Sequence, residues 1–233
     1  MNKLLFIAVA SLGLSVMAAY TPTTVGVTKI TATAQNTLVP VQFKSLATGG
    51  DISPEHLVKT ANLKAGTWLY MFNGSSYTAW TILSDGGSWA TADTSTKDGV
   101  IVGKPAGTET LSAGSAIWIV LPEAADYNQD IYVYGAYLEN ITATITKGTA
   151  ALIANPLQAA ATPTIANPAK GDTLTLISTG KTYTFNGMAW GSLEKQSSGL
   201  PKFTTWTPSS IAVGAGFWYR SKGTENNVTI SWS

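Results

Sequence analysis

Short segments of alternating hydrophobic and polar residues, separated by turn-forming residues, run through most of the chain. Segments 67–72 and 77–82 flank Asn73-Gly74 and predict two strands joined by a tight hairpin, because Asn-Gly tolerates the positive φ angles of such turns. The segment 228–232 alternates strictly, as a strand with one buried face does. The pattern therefore predicts an all-β protein.

One segment predicts a helix instead. Ser53 fits the N-cap, Pro54 the first helical position and Glu55 the positive end of the helix dipole. His56, the only histidine, falls in the first turn, where we expect it to face solvent. The helix is short.

The hydrophobic blocks recur in the same order in two parts of the chain. In the third block TLSAGSAIWIVLP lines up with SIAVGAGFWYRSK, which places Trp118 on Trp218. The repeat predicts two tandem, related β-sandwich-like or barrel-like halves with one short helix in the first. We place the first repeat domain at residues 19–140 and the second at residues 141–233.

The second copy carries three short motifs, LIANP at 152–156, GD at 171–172 and GAGFW at 214–218. With them it resembles secreted bacterial tandem β-repeat surface proteins, whose repeats run Leu-Ile-x-Asn-Pro, Gly-Asp and Gly-x-Gly-Phe-Trp. These proteins have no assigned activity. The resemblance therefore implies a β-repeat architecture at a cell surface and supplies no catalytic residues.

The N-terminus has the three-part layout of a secretory signal peptide. Lys3 supplies the positive charge, residues 4–16 are apolar, and Ala18 and Ala19 are the small residues near the cut. We expect cleavage after Ala18, so that residues 1–18 are removed. The apolar run is shorter than the ~20 residues of a membrane-spanning helix. The mature chain is therefore expected to be secreted or carried at the cell surface, without a transmembrane span.

Composition limits the classes of binding partner that we expect. Charged residues make up 12% of the chain and the formal net charge is +1. A nucleic-acid partner is not expected, because phosphate neutralisation needs a concentrated basic face. There is no cysteine, so the fold depends on its core and its backbone hydrogen bonds, without disulfides.

The chemistry for an enzyme is sparse. A single histidine supplies neither a zinc site nor, without a nucleophile elbow, a catalytic triad. Two carboxylates suffice for glycoside hydrolysis, and we keep a carboxylate-based hydrolase as a third hypothesis. Its candidates lie in loop-like contexts and are Asp85, Asp93, Asp98, Glu123, Asp126 and Asp130. The leading expectation is a protein that is not an enzyme.

One segment has the opening of a calcium loop. Asp126, Asn128 and Asp130 place oxygen ligands at alternate positions. The loop glycine is replaced by Ile131, however, and Tyr137 stands where the closing glutamate belongs. We therefore expect no cofactor, with calcium at this segment as the alternative.

Aromatic residues give the remaining binding candidates, since the chain has eight tryptophans and nine tyrosines. Tryptophans in or near predicted loops are the candidates for stacking on sugars: Trp80, Trp89, Trp190 and Trp206. Tyr219 and Arg220 join them because the first copy does not share them, as it does not share Gly216. Trp118 and Trp218 recur in both copies, which favours core packing for both.

Two further aromatic rows follow from strand alternation. Trp68, Tyr70 and Phe72 share one strand face, as do Tyr132 and Tyr134. The leading functional hypothesis is an exported, non-enzymatic structural or surface-associated protein that acts by self-association, through exposed edge strands, or by partner binding. The alternative is a carbohydrate-binding module that uses the loop tryptophans to hold a surface glycan.

Overall fold

The computed structural model of this protein describes most of the chain between residues 25 and 232. The described ranges are 25–83, 86–92, 101–105, 109–122, 128–138, 140–196 and 199–232. The predicted signal peptide, residues 1–18, lies outside these ranges. Five of the predicted loop carboxylates lie outside them as well: Asp85, Asp93, Asp98, Glu123 and Asp126.

The strands between Val25 and Tyr137 form a first strand set, which also contains a helix of one turn. Its elements are β1 (Val25–Ala32), β2 (Asn36–Pro40), β3 (Phe43–Lys44), α1 (Pro54–Leu57), β4 (Trp68–Phe72), β5 (Tyr77–Ile82), β6 (Trp89–Ala92), β7 (Ile101–Pro105), β8 (Ala116–Val120) and β9 (Gln129–Tyr137).

The strands between Ile141 and Trp232 form a second strand set. Its elements are β10 (Ile141–Ile145), β11 (Ala150–Ala154), β12 (Thr164–Ala166), β13 (Thr173–Leu176), β14 (Thr182–Phe185), β15 (Trp190–Lys195), β16 (Pro201–Thr205), β17 (Gly216–Arg220) and β18 (Val228–Trp232).

Each strand set contributes one three-stranded and one six-stranded antiparallel sheet. The first set has the orders β1-β9-β3 and β2-β8-β4-β5-β6-β7, and the second has β10-β18-β12 and β11-β17-β13-β14-β15-β16. Adding nine to each label of the first pair gives the second pair, so the sheets repeat strand for strand. The four sheets give a propeller-like arrangement. The prediction of a nearly all-β chain with one short helix is confirmed.

Local hydrogen bonds explain the turn between β4 and β5 and the start of the helix. In the β4–β5 hairpin the Asn73 side-chain oxygen accepts bonds from the amides of Ser75 and Ser76, and Gly74 has a φ of 101°. At α1 the Ser53 side chain caps the helix, and its hydroxyl lies 2.8 Å from Nδ1 of His56. His56 is exposed, as expected.

Each strand set has its own hydrophobic core. A third, smaller cluster lies between them and is called here the junction cluster. It contains Ala116, Leu152 and Ala154, with Leu38, Trp118, Ile177 and Trp218 packed against them. Because both sets contribute, the junction cluster holds the two six-stranded sheets against each other.

No helix in the described part of the chain is long and apolar enough to cross a membrane.

Candidate ligand-binding site

A cleft of about 360 Å³ opens on the six-stranded sheet of the first strand set. It is lined by Asn36, Tyr70, Tyr77, Trp118 and Val120, and is called here the aromatic cleft. It lies beside the junction cluster, because Trp118 belongs to both. The cleft therefore lies where the two strand sets meet.

Strand alternation brings these rings to one face. On β4 Leu69 and Met71 are buried in the core, so Tyr70 points to the opposite face together with Trp68. The register of β4 with β8 places Tyr70 directly across from Trp118. Both rings stay half-buried and present part of their surface to the cleft.

The rings meet in two geometries. Trp68 and Tyr70 stack, with centroids 5.9 Å apart and an interplanar angle of 17°. Tyr77 stands edge-on to Tyr70, with centroids 6.2 Å apart at 89°, and is 47% exposed. Tyr70 therefore has Trp68 stacked against it and Tyr77 at right angles to it.

The second strand set contributes one ring to this aromatic group. Trp218 of β17 meets Phe72 edge-on, with centroids 4.9 Å apart, and meets Tyr77 at 6.3 Å. Trp118 and Trp218 were expected in the core, but both are half-buried. The reason is that each sits on the outer face of its sheet, where the other strand set covers only part of the ring.

The aromatic cleft is uncharged. Burial raises the pKa of the Tyr70 hydroxyl, and it raises that of Tyr77 against the opposing effect of a hydrogen bond with Trp118. Both hydroxyls therefore remain protonated at neutral pH and are able to donate. Asn36 adds an exposed amide at the rim.

Two of the predicted binding tryptophans lie in the core. Trp80 falls inside β5 rather than in a loop, and Trp89 begins β6; both are fully buried. The indole N–H of Trp89 donates to the carbonyl of Val58 at 3.0 Å. The expectation that they offer ring faces to a ligand is corrected, because these faces pack inside the first strand set.

The other two predicted tryptophans belong to the second strand set. Trp190 is buried and packs against Phe185 and Tyr219. Trp206 is half-buried and stacks on Tyr183, with centroids 4.0 Å apart and an interplanar angle of 11°. Neither ring lies at the aromatic cleft.

Tyr219 has a structural partner. Its hydroxyl donates to the buried carboxylate of Asp172 at 2.7 Å, and Asp172 also accepts from the amides of Ala169 and Lys222. Burial and the bond to Asp172 raise the pKa of Tyr219 far above its ordinary value. Tyr219 thus remains a donor inside the core, while its neighbour Arg220 is exposed.

The candidate calcium segment is only partly described. Asp130 lies on β9, where its carboxylate is 2.8 Å from the Lys29 ammonium and accepts a bond from Thr31. The bond from Lys29 is the main cause that lowers the pKa of Asp130. Asn128 is exposed. Within the described ranges no three acidic, histidine or cysteine side chains form a metal-binding group.

Sequence reasoning identified the Trp68, Tyr70 and Phe72 row but favoured the loop tryptophans as binding residues. It did not connect that row with Tyr77 or Trp118. Alternation alone shows which side chains share a face, whereas the register between β4 and β8 decides which rings meet across strands. The available signal was the alternation of aromatic with aliphatic residues from 68 to 72.

No protein-family model, curated protein or solved structure shows a significant match to this chain. The resemblance to secreted bacterial repeat proteins thus stays a prediction.

Proposed function

We propose that this chain is a non-enzymatic protein of the cell surface or the extracellular space, and that it binds carbohydrate through the aromatic cleft. The observation that carries the proposal is the set of three partly exposed rings, Tyr70, Tyr77 and Trp118, that line the cleft. Its secretion rests on the predicted signal peptide. Its surface association rests on the resemblance of the second copy.

The chemistry of the cleft suits a sugar. One face of a pyranose ring is lined with C–H groups, which pack on an aromatic face and exclude water, and its rim carries hydroxyls. Tyr70, Tyr77 and Asn36 line the cleft, and their hydroxyls and amide are the groups proposed to bond with that rim. A concave, mostly apolar site with a few polar groups is the usual form of a ligand pocket.

The test is binding of neutral glycans on an array, followed by calorimetric titration of the strongest hit. Tyr70→Ala and Trp118→Ala should each weaken the affinity at least tenfold, because each removes a ring face of the cleft. Tyr132→Ala is the matched control, since it removes a half-buried tyrosine from another sheet. Binding that is unchanged in both cleft variants, or absent for every neutral glycan, would rule the proposal out.

Self-association is a second candidate, favoured by the edge strand β1. Among the described strands β1 pairs with β9 alone, and Val25 and Val27 on it are 60% and 56% exposed. A long edge strand with exposed apolar side chains is a template for pairing with another chain. A second copy of this chain is the partner proposed for it.

Sedimentation over a range of concentrations tests this candidate. We expect reversible assembly of the wild-type protein, and at least a tenfold higher dissociation constant for Val27→Lys, because a charge on the edge opposes pairing. Val213→Lys is the control, since Val213 is also half-exposed but belongs to the second strand set. A wild-type protein that stays monomeric at every concentration contradicts the candidate.

We also propose that residues 19–140 and 141–233 are two related units, each sandwich-like or barrel-like. The repeated strand order supports this division, since each pair of sheets draws its strands from one of the two ranges.

A further inference from the structure

A second cleft, of about 410 Å³, lies between the strand sets and is called here the junction cleft. Its walls come from segments 71–74 and 110–116 of the first set and 144–151 of the second. Side-chain hydroxyls dominate its polar lining, contributed by Thr110, Ser112, Ser115, Thr144, Thr146 and Thr149. The junction cleft is therefore a polar counterpart of the aromatic cleft.

Three of these hydroxyls already donate hydrogen bonds to other groups of the protein. Ser112 donates to the Asp51 carboxylate at 2.8 Å, Ser115 to the carbonyl of Ser112, and Thr149 to the carbonyl of Thr146. Towards a ligand in the cleft, their oxygens are therefore available only as acceptors. These acceptors favour a ligand that donates hydrogen bonds, and the Asp51 carboxylate behind Ser112 disfavours a ligand that carries negative charge.

The two clefts adjoin through one pair of rings. Phe72 lines the junction cleft, and its ring packs against Tyr77 of the aromatic cleft with centroids 5.3 Å apart. None of the described residues that line either cleft is charged. A ligand that extends past Phe72 and Tyr77 thus passes from stacking rings to hydroxyl acceptors.

We infer that the two clefts are consecutive subsites for a linear, neutral polysaccharide, an inference that rests on the proposed carbohydrate binding. The aromatic cleft holds one end of the bound segment by stacking. The junction cleft holds the continuing units through their hydroxyl groups, which donate to the serine and threonine oxygens. The substrate class is uncharged because acidic sugars meet the field of Asp51 without a cation on the described lining.

Calorimetry with oligosaccharides of defined length tests the inference. The probes are neutral β-1,4-linked oligomers of glucose, xylose, mannose and N-acetylglucosamine, from two to six units, and oligogalacturonates of the same lengths. We expect at least a tenfold gain in affinity between two and six units in a neutral series, and no comparable binding of the oligogalacturonates.

Two variants separate the subsites. Thr110→Val and Thr144→Val, both at exposed positions that should tolerate the change, are expected to reduce hexamer affinity towards that of the dimer while leaving the dimer unaffected. Thr142→Val is the matched control, because it is exposed on the same strand β10 but does not line the cleft. Tyr70→Ala should weaken oligomers of every length.

The outcomes distinguish the two proposals. Equal affinity for dimer and hexamer, or hexamer affinity unchanged in both threonine variants, overturns the junction subsite and leaves carbohydrate binding intact. Tighter binding of oligogalacturonates overturns the neutral class. Binding of no neutral oligomer at any length overturns the proposed function together with this inference.

Discussion

Replacing Asp172 by alanine is expected to lower the free energy of unfolding by about 3–5 kcal/mol. Its carboxylate is fully buried and accepts bonds from the Tyr219 hydroxyl and the amides of Ala169 and Lys222. Alanine leaves all three donors without this acceptor, and the Tyr219 hydroxyl lies where water does not replace it. Urea denaturation followed by tryptophan fluorescence measures the loss.

Two comparison variants give this prediction its scale. Tyr219→Phe removes one of the three donors, so its loss should be smaller, about 1–2 kcal/mol. Glu194→Ala removes an exposed carboxylate that is 3.5 Å from Lys181, and it should cost less than about 1 kcal/mol. If Asp172→Ala were as stable as Glu194→Ala, the buried carboxylate would not be holding this corner of the second strand set.

Replacing Gly216 by alanine is expected to cost about 1–3 kcal/mol, although alanine is the smallest possible addition. The new methyl group would clash with the carbonyl oxygen of Ile153 and would lie 2.7 Å from a methyl carbon of Leu38. The first contact is backbone on a paired strand and the second is in the junction cluster. Relief therefore requires β11 and β17 to separate locally, and the Leu38 side chain to shift.

Urea denaturation measures this loss as well, with Gly50→Ala as the matched control. An added methyl group at Gly50 meets only the Thr48 hydroxyl, at 3.5 Å, so no significant loss is expected. A Gly216→Ala protein as stable as Gly50→Ala would contradict the close contact.

The elements that were predictable from sequence are those specified by neighbours in the chain. The Ser53 cap, the Asn73-Gly74 turn and the strict alternation of β18 each depend on a few consecutive residues. The order of hydrophobic blocks also anticipated the repeated sheets. Local chemistry was sufficient for these features because nothing distant competes with it.

The buried tryptophans show where local information ends. Trp80 lies in a run of four buried residues, 79–82, where both faces of β5 are covered, and only the packing of the sheets decides this. The same holds for Trp118 and Trp218, whose partial exposure depends on how the strand sets meet. Ring exposure is a tertiary property, so the loop tryptophans were poor guides to a binding surface.

The roles of the residues that only the second copy carries also depend on contacts with residues distant in sequence. The Tyr219 hydroxyl bonds to Asp172, and Leu38 occupies the space that a side chain at position 216 would need. In the block alignment, Thr67 and Ile119 stand where the second copy has Asp172 and Tyr219, and both are buried. The same place in the fold thus holds a hydrogen-bonded tyrosine and carboxylate in the second copy, and a threonine and an isoleucine in the first.

The three-stranded sheets have a consequence for the timing of folding. Val25 in the first strand of one set pairs with Ala136 in its last, and Ile141 pairs with Trp232 in the other. Each set is therefore closed by pairing between two strands that lie at opposite ends of its own sequence. Closure over so long a loop carries a large entropy cost and slows folding. In a growing chain this pairing cannot form until the last strand of that set has been synthesised.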